Sequence, residues 1–81
     1  MILPRDLSGR EFAKSLRVLG YEITRQTGSH MRLTTTEHGE HHITIPSANP
    51  LRIGTVAGVL SEVSAHFNIT RDELIEKLFK A

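Results

Sequence analysis

Apolar side chains recur every three to four residues at the start of the chain, every second residue through its middle, and every three to four again toward its end. The first rhythm sets Phe12, Leu16 and Leu19 on one helical stripe. Ahead of it, Ser8-Gly9-Arg10-Glu11 has the form of a capping box, in which the serine side chain accepts from the third helical N–H and the glutamate reaches back. Gly20 supplies a left-handed stop. Tyr21 to Gln26 then alternates with period two and is rich in strand formers. Thr27-Gly28-Ser29 predicts a turn, and His30 to Thr36 resumes the alternation. Glu37-His38-Gly39 fits a three-residue hairpin loop, after which Glu40 to Ile45 returns as a strand that Pro46 stops. This register pairs Leu33 with Ile43 and Met31 with Ile45 on an apolar face. The opposite face receives Arg32 with Thr44 and Thr34 with His42, with His30 just beyond. Arg25 shares the parity of Tyr21 and Ile23, so two placements stay open for it, under the sheet edge or facing substrate. From about Gly54 a second helix carries Val56, Val59, Leu60, Val63 and Phe67, and Thr70-Arg71-Asp72-Glu73 is a second capping box opening a last helix that buries Leu74, Ile75 and Leu78. The order α-β-β-β-α-α predicts an α+β sandwich, a three-stranded antiparallel sheet covered by helices on one face.

Composition narrows what such a sandwich can do. At 81 residues, with 38% hydrophobic and 23% charged, the chain reads as one domain spanning 1–81. A domain this small buries only about 60% of its unfolded surface, so a large substrate cavity is excluded and any catalytic site is a shallow surface suited to a polymer. The absence of cysteine removes disulfides, thiolate nucleophiles and Cys-based zinc sites, and no apolar run approaches the roughly 18 residues of a membrane span. The expected location is the cytoplasm, with no membrane partner. Net charge is only +1, but it is unevenly placed: residues 1–32 hold six cations against three acids, and residues 33–81 four against six. Arg10, Lys14 and Arg17, spaced i, i+4, i+7, make the helix face opposite the apolar stripe wholly basic.

Thr27-Gly28-Ser29-His30 is the stretch richest in candidate chemistry. Imidazole is the side chain whose unperturbed pKa, about 6.5, lets it both take and give a proton at neutral pH. A histidine opening a strand on the uncovered side of a sheet, beside a flexible glycine, with Arg25 and Arg32 nearby, has the minimum equipment to promote attack of an RNA 2′-hydroxyl on its own phosphodiester. Taken without its neighbours, a lone surface histidine is ordinarily a solvated residue. The other histidines, His38, His41, His42 and His66, raise a metal reading, but His41 and His42 are adjacent in a strand and point to opposite faces. The hairpin histidines, His38, His41 and His42, read instead as solvated turn residues, with His42 sharing the open face of His30 and in reach of RNA. Gly54-Thr55 reads as ordinary helix initiation rather than an anion site.

Together, Ser8-Gly9-Arg10-Glu11, Leu19-Gly20-Tyr21 and Arg25-Gln26-Thr27-Gly28-Ser29-His30 resemble the HicA (YcfA-like) mRNA interferase toxins. The resemblance continues through Ile43-Thr44-Ile45-Pro46, Leu51-Arg52-Ile53-Gly54-Thr55 and Val59-Leu60 to the Thr70–Leu78 segment. It implies a fold like that of double-stranded-RNA-binding domains, RNA cleavage without a metal or other cofactor, an essential histidine at His30 and the motif glycine at Gly28. It also implies a HicB-like antitoxin that masks the active surface. Two departures stand out. Many relatives carry a second histidine where this chain has Met31, which the register places on the buried face, and the stretch around Ser64 to Asn68 is slightly longer than usual.

The resulting expectation is the toxin of a type II toxin–antitoxin pair, a metal-independent endoribonuclease acting on mRNA through His30. Gly28, Ser29, Arg25, Arg32, Arg10, Lys14 and Arg17 are the candidate RNA-binding residues; for the helix row Arg10, Lys14 and Arg17, contact with the antitoxin is the alternative. The competing reading is a non-catalytic RNA-binding module, or a degenerate toxin acting only through a protein partner. The presence of His30 favours catalysis over both.

Overall fold

Ser8 opens the first helix as the sequence predicts: its side chain accepts from the Glu11 N–H at 3.1 Å while the Glu11 carboxylate accepts from the Ser8 N–H at 2.9 Å. Those two bonds hold the Glu11 carboxyl below the usual carboxylate range. The computed structural model describes residues 6–79. Helix α1 spans Gly9–Ser15, and its last turn tightens into a 3-10 segment, Leu16–Leu19, ended by Gly20 at φ 85°. Strands β1 (Glu22–Thr27), β2 (His30–Thr35) and β3 (His41–Pro46) follow, then α2 (Ile53–Phe67) and α3 (Arg71–Phe79). The strands form one antiparallel sheet in the order β1-β2-β3, and with the helices on one side of it the fold is α+β.

The alternation in β2 and β3 decides which face is covered. Met31, Leu33, Ile43 and Ile45 are buried, whereas His30, Arg32, His42 and Thr44 are exposed. Leu33 lies opposite Ile43 and Met31 opposite Ile45, as the hydrophobic pattern predicts. Phe12 and Leu16 of the first helix, Leu60 and Val63 of α2 and Leu74 of α3 close over these residues and are fully buried. Each such side chain stabilises the fold by about 1.5–3 kcal/mol relative to exposure. Met31 belongs to this core and faces away from solvent, as its place in the register predicts. Thr35 is buried too, and its hydroxyl donates to the Leu19 carbonyl at 2.8 Å, tying the end of β2 to the 3-10 turn.

Strand β1 departs from the pattern. All six of its residues are exposed, because the helices cover β2 and β3 and stop short of the edge. Tyr21, immediately before it, is the residue that turns into the core. The pairing with β2 also shifts: Ile23 stands opposite Leu33 but Arg25 stands opposite Arg32, so Thr24 is the extra residue of a β-bulge. Directly opposed residues share a face. Arg25 therefore stands with Arg32 on the open side, the substrate-facing one of the two placements its parity left open.

Candidate nucleic-acid interface

Two residues, Gly28 and Ser29, connect β1 to β2, with Thr27 paired to His30 across them. Gly28 has φ 56° and Ser29 does not have positive φ, the pattern of a type II′ turn, which favours glycine at its first central position. A Cβ on Gly28 would meet nothing within 4 Å, so the glycine is needed for its conformation and the space over the turn is open. The far side of the turn is anchored. The Ser47 N–H donates to the Ser29 carbonyl at 2.7 Å, and the Ser47 hydroxyl donates to the same oxygen at 3.2 Å. Pro46, opposite His30, has no N–H, and Ser47 continues the ladder in its place. Gly9 at the start of α1 packs against the same segment: its N–H donates to the Ala48 carbonyl at 2.8 Å, and a Cβ there would collide with the Pro46 carbonyl oxygen. Ser47 is a site-supporting residue that sequence reasoning missed; its signal is a hydroxyl residue directly after a strand-ending proline.

From this turn the open face runs along β2. His30 is exposed at its first position with Thr27 opposite, and Arg32 stands two residues on with Arg25 opposite. A directly opposed pair of like charges costs stability rather than adding it. No acid offsets them: the one ion pair among the described residues joins His42 to Glu40 at 2.7 Å. Farther along, a chain of short contacts crosses the sheet. The Thr24 and Thr34 hydroxyls are 2.9 Å apart, Thr34 meets His42 Nδ1 at 2.7 Å, and His42 Nε2 meets the Glu40 carboxylate. Donation from Nε2–H to Glu40 leaves Nδ1 to accept from Thr34, so both ring nitrogens of His42 are engaged within the protein. His42 lies level with Thr34, four residues from His30, about 13 Å along the strand. It is too distant to act on the same phosphodiester.

Arg10, Lys14 and Arg17 line a cleft of about 240 Å³ with Ala13, Glu22 and Ile23, between the first helix and β1. Ile23, opposite the buried Leu33, sets this cleft on the helix side of β1. The β1–β2 pairing brings Gly28, Ser29, His30, Arg25 and Arg32 together, whereas Arg10, Lys14 and Arg17 meet Glu22 and Ile23 in this cleft, and Gly9, next to Arg10, packs on the segment that anchors the Gly28–Ser29 turn.

Of the other histidines, His38 is an exposed residue of the β2–β3 turn, as the sequence predicts, whereas His41 is drawn into the fold and His66, on α2, binds that turn. His41 turns to the helix side, where the Tyr21 hydroxyl meets its Nδ1 at 2.7 Å and its ring stacks on His66 at 4.4 Å and 10°. His66 Nε2 donates to the carbonyls of Glu37 and Gly39 at 2.9 and 3.1 Å, fastening the end of α2 to the β2–β3 loop. Burial, followed by the neighbouring His66, holds the pKa of His41 below its ordinary value. Burial and then the charge of Glu62 push the Tyr21 phenol up to about 12, so the hydroxyl keeps its proton beside His41. Among the described residues no three His, Cys, Asp or Glu side chains converge as metal ligands, and no helix is long and apolar enough to cross a membrane.

A protein-family model described as the HicA toxin of bacterial toxin–antitoxin systems matches residues 9–63. That range runs from the first residue of α1 through the whole sheet and most of α2. No curated protein and no solved structure matches the chain.

Proposed function

Because the chain belongs to the HicA toxin family of bacterial toxin–antitoxin systems, we propose that it is an endoribonuclease that cleaves mRNA and that His30 is its catalytic residue. The observation that carries this reading is the setting of His30: an exposed imidazole at the start of β2, beside an open glycine turn and two residues along the strand from the Arg25–Arg32 pair.

In the proposed reaction His30 takes the proton of an RNA 2′-hydroxyl as that oxygen attacks the adjacent phosphorus. The 2′-oxygen–phosphorus bond forms, the 5′-oxygen–phosphorus bond breaks, and the departing 5′-oxygen is protonated by water or by the imidazolium. Arg25 and Arg32 hold phosphate oxygens and offset the charge that builds on them. Gly28 and Ser29 leave room for the backbone to approach. These groups supply a base and fixed positive charge, so the step as written needs no metal. With 5% aromatic residues the chain has little to stack on bases, which favours recognition through backbone and shape over sequence. The partner that restrains this activity is the antitoxin, expected to be HicB-like, and the cellular setting expected for both is the cytoplasm.

The test is His30→Ala. Cleavage of RNA and growth arrest on expression are expected to disappear, while RNA binding and the melting temperature stay close to those of the parent, since the side chain is exposed. Cleavage by the variant at the parental rate would remove His30 from the mechanism. Unchanged cleavage in excess chelator is expected as well, and a loss restored by added magnesium or zinc would overturn the metal-free step.

A further inference from the structure

Strand β1 ends the sheet, and among the described residues nothing pairs with its outer edge. It is exposed along all six residues, and Ile23 on its helix side is 45% exposed despite standing opposite the core residue Leu33. An open strand edge repeats N–H donors and C=O acceptors at ladder spacing, and a second extended polypeptide satisfies both. A nucleic-acid backbone does not, because its phosphate oxygens match the N–H groups but face the carbonyls with like charge.

The flanks of this edge are cationic on both sides. Arg10, Lys14 and Arg17 line the cleft on the helix side, over an apolar floor of Ala13 and Ile23, and the bulge sets Arg25 on the open side. Glu22 is the one acid in that lining. The same charges keep a second copy of the chain away, since two such edges would oppose cation to cation.

We propose that the β1 edge receives an extended acidic segment of a partner protein as a fourth strand, with acidic side chains over Arg10, Lys14 and Arg17 and an apolar one on Ile23. In a toxin–antitoxin pair the antitoxin is the chain that brings such a segment. This identification rests on family membership and is independent of the chemistry of His30. It gives the helix row a role apart from RNA.

The probe is a capped octapeptide with Thr at every second position and Glu, Val, Glu and Glu between them, so that one strand face carries both the acids and the apolar side chain, titrated into the isotope-labelled chain. A peptide with Lys in place of Glu is the control, and a short single-stranded RNA is the competitor. The acidic peptide is expected to shift the Ile23 methyl groups and to slow amide exchange along β1. Lys14→Glu is expected to weaken it about tenfold, added salt to weaken it further, and the Lys peptide to leave β1 unchanged. RNA is expected to shift His30 and Arg32 without protecting the β1 amides. The proposal is overturned if no β1 amide responds at roughly millimolar peptide, or if the Lys peptide binds equally well. Displacement of the peptide by RNA occupying the Arg10–Arg17 cleft would overturn it too, by making the cleft part of the RNA path. Binding is read without cleavage, so the experiment runs equally well in His30→Ala and its outcome is separate from that of the nuclease reading.

Discussion

At the residue scale the Arg25–Arg32 pair is the most informative feature of the open face. Two guanidinium groups placed directly opposite on a sheet, with no acid between them, disfavour the folded state and make sense as a receptor for anions. If each binds one phosphate, each contributes its own released counterion to the salt dependence of RNA binding. Arg25→Ala and Arg32→Ala are each expected to weaken binding at low salt and to lower the slope of log affinity against log salt by about 0.7. Neither is expected to lower the melting temperature, because each removes a like-charge repulsion. Fluorescence titrations across a salt series, paired with thermal melts, read both quantities. An unchanged slope in both variants would take the pair out of the RNA contact.

At the element scale, the same substitution separates two glycines by what surrounds them. Gly9 begins α1 pressed on the Pro46 carbonyl, and a methyl group there forces the helix away from β3. Gly58 lies inside α2, where a Cβ would meet nothing within 4 Å and glycine merely costs helix stability. Gly9→Ala is therefore expected to destabilise by about 1–3 kcal/mol and Gly58→Ala to stabilise by about 0.5–1 kcal/mol, as chemical denaturation would read. Gly58 reads as helical from the sequence alone, whereas the close approach at Gly9 depends on a segment 37 positions away and leaves no local trace. The same division runs through the rest of the fold. Both capping boxes, the β2–β3 register and the buried place of Met31 follow from local chemistry and periodicity. The bulge at Thr24 does not, since no glycine or proline marks it, and without it the side that Arg25 takes stays open. His30 and its turn were legible; the cleft that Arg10, Lys14 and Arg17 share with Glu22 and Ile23 depends on how the first helix lies beside β1.

At the scale of the whole molecule, the two ends of the sheet carry different chemistry. His30 and the Gly28–Ser29 turn occupy one end, and the Tyr21–His41–His66 cluster joins β3, α2 and the β2–β3 loop at the other, about 17 Å away along β2. Tyr21, His66, Glu62 and His42 surround His41, and burial together with His66 outweighs the opposing pull of Glu62. Its pKa in the folded chain is thus below the unfolded value of about 6.5. Between those two values the unfolded chain binds more protons than the folded one, so stability rises with pH there. The contribution of His41 is fully present above about pH 6.5 and is lost as pH falls through the unfolded pKa toward the folded one. Melting temperature is accordingly expected to drop on acidification from about pH 7 to about pH 5. In His41→Gln, whose side-chain oxygen can still accept from Tyr21, that dependence is expected to flatten. Because the cluster lies at the end of the sheet away from the turn, the pH profile of RNA cleavage, measured well below the melting temperature, is expected to be the same in His41→Gln as in the parent. A shared change in both profiles would mean that the two ends are coupled through the sheet rather than independent.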